Sequence, residues 1–249
     1  SVAYAQIRFR KEQQHANTTY TDSNNTVTGT WTFNVSTLTI TSPGTLATVT
    51  GNFAFGGSGQ KIDVRIFGAI ADGGITDNAS AFTAAIAAAG AGDTIVAPAG
   101  NNFYGFTSGF TINKANLTLE GYGDRTMLVN MNQSATSLIT ISSVQGVRLK
   151  NFSMAGHASS GHGIYVTGGS HRGYLENVFC RNVGGDCFNS DNGFGWTFIE
   201  PRFSASIYAA GVIGPFPYAG ASATADYGIR TTTGANAGTQ TILGPLIEG

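Results

Sequence analysis

The 249 residues include 41% hydrophobic side chains, enough to bury a sizeable core, and only 11% charged ones. With 13 Lys plus Arg against 14 Asp plus Glu, the chain has no basic field to draw in nucleic acid or an anionic membrane, and no apolar run is long enough to span a bilayer. Thirty-five Gly against six Pro, with Asn and Thr throughout, favour many short strands joined by tight turns over a helical bundle.

In chain order, residues 1–60 stand apart. A polar stretch over Asn17–Asn25 precedes Thr30–Val35 and Leu38–Thr41, where apolar residues alternate with Thr or Asn in the period of half-buried strands. These strands are expected to be exposed and to need a partner. Gly56-Gly57-Ser58-Gly59 then reads as a flexible joint. One helix follows: Thr76 or Asp77 caps its first turn, Phe82, Ala85, Ile86 and Ala89 share a face, and Gly90 is placed to end it in a left-handed conformation. Short and Ala-rich, it needs an apolar surface to lie on, such as the open end of a sheet stack.

Beyond Gly90 the chain repeats. One aliphatic column runs through Leu119, Leu149, Leu175, Ile199 and Leu243, with steps of 26 (175 − 149), 24 (199 − 175) and 44 (243 − 199) after Leu149. A second runs through Ile139, Ile164, Cys187 and Ile229, with steps of 25 (164 − 139), 23 (187 − 164) and 42 (229 − 187). Independent hairpins have no reason to keep two columns in phase. A solenoid must, because each coil lays an equivalent residue over the one below. The long last step is read as an insertion, since Ala209-Ala210-Gly211 and Pro215–Gly220 have the composition of a loop. The two cysteines, Cys180 and Cys187, make neither a disulfide framework nor a zinc spacing and are expected as buried thiols.

The segment Asp63–Ala69, then Asp72-Gly73, Thr76-Asp77-Asn78, Ala81, Ala85-Ile86, Gly92–Val96 and Pro98-Ala99-Gly100, resembles the entry motif of the pectate-lyase-like superfamily. The resemblance implies an all-β right-handed single-stranded parallel β-helix over residues 61–249, opened by a strand and an N-terminal capping helix. That layout is shared by phage tailspikes, polysaccharide depolymerases and polygalacturonase-like enzymes. Asn25–Phe33 is similar to short segments of phage tail fibres, which implies that residues 1–60 attach the chain to a virion and that the protein trimerises. Leu246–Gly249 is still repeat-like, so the solenoid is expected to continue past Gly249 or to be covered by a partner.

Candidate chemistry is sparse. A polygalacturonase-type site has paired aspartates, a His-Gly and an Arg-x-Lys. Here Gly184-Gly185-Asp186 offers a single aspartate, His162-Gly163 precedes it rather than follows, and Arg-x-Lys is missing after Asp186. The row Glu120, Lys150, Glu176, Glu200, Gly244 follows the aliphatic column and would set Glu176 and Glu200 on adjacent coils. Two carboxylates at strand spacing either form the acid and nucleophile of a glycosidase or make an ordinary solvated ladder. Asp186 and Asp191 flank one coil as sugar ligands or as corner residues. Trp196, Tyr208, Phe216 and Tyr218 are candidate stacking partners for sugar rings, or else pack the loop on the coil wall. His157, His162 and His171 lie close in sequence without the carboxylate or thiolate that a zinc spacing requires, so neither metal nor cofactor is expected.

The function that follows is a phage tail appendage, extracellular on the virion, whose trimeric β-helix recognises bacterial surface polysaccharide and whose first 60 residues bind other tail proteins. The alternative is a glycan depolymerase, hydrolase or lyase, on the same fold. Neither reading involves nucleic acid or membrane insertion.

Overall fold

The computed structural model describes residues 59–132, 134–157, 159–204, 229–232, 241–244 and 246–248, all within the compact unit 52–249. The first segment (1–58) and residues 205–228, with Tyr208, Phe216 and Tyr218, lie outside the described residues.

Strand β1 (Lys61–Asp63) leads through a 3-10 turn (Val64–Phe67) to the helix α1 (Ala79–Ala88), and β2 (Thr94–Val96), β3 (Tyr104–Phe106) and β4 (Phe110–Ile112) follow. The coils continue through β5 (Thr118–Asn130), β6 (Ile139–Ser142), β7 (Arg148–Ala155), β8 (Ile164–Thr167), β9 (Tyr174–Arg181), β10 (Phe188–Asp191), β11 (Thr197–Ile199), β12 (Arg202–Ser204), β13 (Ile229–Thr232), β14 (Thr241–Leu243) and β15 (Leu246–Glu248). Every ladder is parallel. The first sheet runs β1-β2-β5-β7-β9-β11-β14 with β3, β12 and β15 beside that path, and the second runs β13-β10-β8-β6-β4. Strands β5, β7 and β9 turn a corner within their length, so the first sheet covers two walls and the second a third. The result is the parallel β-helix, of about four turns.

Two of the three corners share one mechanism. Asn151 (φ 58°) and Asn177 (φ 49°) are left out of the β7–β9 pairing at equivalent points, and Glu200 (φ 49°) separates β11 from β12 in the same way. Between the second and first sheets the turning residues are Gly92, Asn116, Gly146, Arg172 and Gly195, all with positive φ. The same connections open on Ser143, Gly168 and Asn192, also at positive φ. At these two corners left-handed residues redirect the chain without losing the strand register on either side. Asn and Gly dominate because their cost in that region is least. At the first corner Asn177 Nδ2 also donates to Asn151 Oδ1 (3.2 Å), which ties adjacent coils.

The interior is built of stacked columns. Ile95, Leu119, Leu149, Leu175 and Phe198 occupy one register line and are all nearly or fully buried. Phe110, Ile139, Ile164 and Phe188 form a second line that Ile229 continues, and Leu128, Met154, Cys180 and Phe203 a third. Two expectations are corrected by one residue each. The inward residue of β11 is Phe198 rather than Ile199, and the partner of Ile164 is Phe188 rather than Cys187. In that coil the core is aromatic: Phe188 and Phe198 meet edge to face at 4.9 Å, and Phe198 and Phe203 at 6.2 Å.

The cysteines are likewise corrected: Cys180 and Cys187 form a disulfide, with Cα atoms 5.8 Å apart. Cys180 points inward from β9 and Cys187 lies just before β10, so the turn between them brings both fully buried side chains into the same interior. Helix α1 contacts β4, and its Phe82 ring sits among Tyr104, Phe106 and Phe110 at centroid distances of 5.9, 5.0 and 5.0 Å, as a capping helix should. Asp77 Oδ1 accepts from the Ala79 N–H (3.1 Å) and thus caps the first turn. Gly90 is not the left-handed terminator. The helix ends at Ala88 with Ala89 extended, Gly90 donates its N–H to Asp93 Oδ2 (2.8 Å), and Gly92 takes the positive φ.

Candidate functional site

The outward row of the second sheet places Thr140, Tyr165, Asn189 and Arg230 at one register position on successive strands β6, β8, β10 and β13. Next to this row, at the turn that enters the sheet, lie His162 and Asp186. Their meeting explains the Gly-Gly-Asp triplet. A Cβ on Gly185 would stand 2.7 Å from His162 Nδ1, so only glycine lets the imidazole lie against the turn, and the Gly184 N–H is taken by Ser160 Oγ at 3.1 Å.

Asp186 is fully buried. Its backbone N–H donates to His162 Nδ1 (2.9 Å), its Oδ2 lies 3.2 Å from the same nitrogen, and Asn189 Nδ2 donates to Oδ2 at 2.6 Å. Arg230 adds a guanidinium 3.9 Å from Oδ2, with its side chain partly in solvent. The other oxygen, Oδ1, has no hydrogen-bond partner among the described residues, a costly condition for a buried carboxylate. Because Nδ1 accepts from a main-chain N–H, the neutral ring carries its proton on Nε2, and a proton added to Nδ1 would face the carboxylate directly. His162 keeps about a quarter of its side chain exposed (27%), whereas Asp186 exposes 1%. The histidine can touch a ligand, and the aspartate orients it from beneath.

Tyr165 extends the wall. Its ring stacks on His162 at 5.7 Å and 22°, and its hydroxyl donates to Asp191 Oδ2 at 3.2 Å. An imidazole, a phenol, a guanidinium and an exposed carboxylate thus converge on one shallow face, with the nearly buried Asn189 amide turned onto Asp186 beneath it. Such a surface matches the hydroxyl pattern of a saccharide better than it matches a buried small-molecule pocket.

Of the residues expected from the sequence, Asp186 and Asp191 are brought together here. Asp186 does so as a buried support, not as a group that reaches substrate. Glu176 and Glu200 are not register partners: Glu176 pairs with Lys150 and Ile199, and Glu200 turns the next corner beside Gly244. The expected ladder of carboxylates is therefore broken by one residue, for the reason that moved Phe198 inward. Trp196 is also corrected. It is 1% exposed and lies beside Phe188 in the core at 5.3 Å, so it presents no face to a sugar. Tyr208, Phe216 and Tyr218 lie outside the described residues.

Tyr165, Asn189 and Arg230 were missed by sequence reasoning. Each follows an inward residue of the second sheet, and aligning Cys187 with Ile164 hid the row by shifting β10. The three histidines do not gather: His171 stacks on Phe194 at 4.7 Å, and His157 Nδ1 accepts from the Ser159 N–H. Among the described residues no group of three His, Cys, Asp or Glu is arranged to hold a metal.

A different carboxylate is strongly held on the first sheet. Burial pushes the Glu120 pKa up, but hydrogen bonds and charge from Lys61 (3.0 Å) and Lys150 (3.2 Å) outweigh it and set the value below the ordinary one.

No family model and no curated protein matches the sequence. Among solved structures, a Geobacillus virus E2 protein, the product of its open reading frame 18, superposes with a TM-score of 0.50 and 20% identity. It covers 58% of this chain, and the chain spans 30% of its length. The A-modules of two Azotobacter vinelandii mannuronan C-5 epimerases give TM-scores of 0.45 and 0.44 at 20% and 16% identity, over 57% and 74% of this chain and 51% and 58% of theirs. The likeness is one of fold alone, the parallel β-helix.

Proposed function

We propose that this chain belongs to a phage tail appendage and recognises bacterial surface polysaccharide through the outer wall of β6-β8-β10-β13. The observation that supports it is the convergence of His162, Tyr165, Asp191 and Arg230 on that wall, fixed from beneath by Asp186 and Asn189. The phage protein with the same fold makes a virion component the favoured setting, with attachment through the first 60 residues and a homotrimer as further parts of the proposal.

A flat row of donors and acceptors on rigid strands binds hydroxyls with little ordering cost, because the backbone is already fixed. The test is titration calorimetry of the full chain with purified host capsule or lipopolysaccharide fragments. Tyr165→Ala and Arg230→Ala should each weaken binding by about tenfold or more, the loss expected for one good polar contact. Unchanged affinity in both variants would remove this wall from the binding site.

A second reading is glycan cleavage. The buried Asp186 carboxylate set against a partly exposed His162 is the arrangement in which a histidine moves a proton. New reducing ends or unsaturated sugars, formed by the native chain and abolished in His162→Ala, are the expected outcome of that reading. Binding without either product excludes it.

A further inference from the structure

At the corner where the second sheet turns into the first, the surface forms a groove of about 550 Å³ lined by Asn116, Thr118, Gln145, Arg148, Arg172 and Tyr174. Its volume lies within the range of roughly 300–1,000 Å³ usual for small-ligand sites. We infer that this groove is a second saccharide site, selective for an acidic glycan whose carboxylates are taken by Arg148 and Arg172.

Charge carries the argument. In a chain where charge is scarce, five of the ten described Lys and Arg side chains have a carboxylate close by: Lys61 and Lys150 hold Glu120, Arg65 holds Asp63, Arg202 faces Asp124, and Arg230 faces Asp186. Arg148 and Arg172 make no ion pair among the described residues, yet they line one concavity. Two like charges left together without a counterion raise the local potential and favour an anionic guest.

The groove is also organised. Arg148 has its guanidinium 5.0 Å from the centre of the Tyr174 ring, a cation–π contact that holds a flexible side chain in place before any ligand arrives. Arg172 projects from a left-handed backbone position (φ 56°) in the corner column, where Gly146 and Gly195 have no side chain. Glycine is required at 146, because a Cβ there would stand 2.2 Å from Asn116 Oδ1. Asn116 thus folds over Gly146 and offers its amide beside that of Gln145. Guanidinium forks for carboxylates and amides for hydroxyls are the pairing that an acidic sugar needs and a bare inorganic anion does not.

This groove shares no lining residue with the polar wall on the second sheet. The test uses the full chain and three probes: a uronate tetramer, the same tetramer fully methyl-esterified, and inorganic phosphate. The uronate should bind in low salt at least about tenfold more tightly than its ester or phosphate, and the affinity should fall steeply with added salt. Arg148→Gln and Arg172→Gln should each reduce uronate affinity about tenfold. Tyr165→Ala should leave it unchanged, so failure here is distinguishable from failure of the reading of the second sheet. Equal binding of the ester, binding of phosphate as tight as that of the uronate, or indifference to both arginine substitutions overturns the inference. Circular dichroism on each variant confirms that the coil is intact.

Discussion

The register of β11 decides which residue of a neighbouring pair supports the core, so Phe198→Ala and Ile199→Ala form a sharp comparison. Phe198 is fully buried between Leu175 on one coil and the position of Ile242 on the next, with edge contacts to Phe188 and Phe203. Removing a buried phenyl ring costs about 3–5 kcal/mol from lost transfer free energy and the cavity left behind. Ile199 lies on the outward side of the same strand and is only partly buried, so truncating it should cost about 1 kcal/mol or less. For a chain of this size each kcal/mol moves the melting temperature by roughly 2–4 °C, which separates the two variants by several degrees at the least. Parallel thermal and urea melts of the native chain and both variants are the assay. Equal losses, or a larger one for Ile199→Ala, would refute the register and restore the carboxylate ladder that depends on it.

Three further outcomes follow from the geometry. Gly173→Ala would place a Cβ 2.2–2.5 Å from the Trp196 ring, so it should destabilise by about 1–3 kcal/mol and shift Trp196 emission to the red in a Trp31→Phe background; unchanged emission and stability would mean that the ring has room to move. Glu200→Asn should stabilise by about 0.5–1 kcal/mol in urea melts, because it replaces a side chain poorly suited to φ 49° with the residue found at that corner in the two preceding coils, and a loss of stability would argue against corner strain. Glu120→Gln tests pH dependence. A folded-state pKa held below the ordinary 4.5 gives stability that is present above that value and lost as pH falls through the lower folded one, so the native chain should lose more stability than the variant on acidification in this range, and parallel acid limbs would show that the two lysines contribute nothing.

The solenoid was legible because stacking imposes a rule on sequence. Leu119, Leu149 and Leu175 recur with the coil, and Ile139 and Ile164 recur in phase with them, as residues that must cover one another do. Legibility failed in the next coil, where both aliphatic columns give way to phenylalanines. A search for aliphatics settles on Ile199, one residue after Phe198, and on Cys187, one residue before Phe188. Those slips run in opposite directions and each hides a functional consequence: the first creates a false pair of Glu176 and Glu200, and the second conceals the row of Tyr165, Asn189 and Arg230. The disulfide was out of reach for a different reason. Spacing alone does not say that Cys180 and Cys187 face one interior across a turn. Asp186 was found from its glycines, but its burial is decided by His162 and Asn189, which pack on it from an adjacent coil and an adjacent strand.

The same architecture makes the outer walls good places for recognition. Strand register is fixed by inward columns and by left-handed residues that recur at two of the corners, so the outward residues between corners carry little of the folding free energy. Each coil interacts chiefly with its neighbours, which confines the effect of an outward substitution to one or two coils. Tyr165, Arg148 and Arg230 all occupy such positions, whereas Asn151, Asn177 and Gly146 do not. Replacing the first group should alter binding with melting curves nearly unchanged, and replacing the second should alter melting first. A binding loss in Arg148→Gln accompanied by a collapse in stability would contradict this division and place the groove within the structural skeleton of the coil.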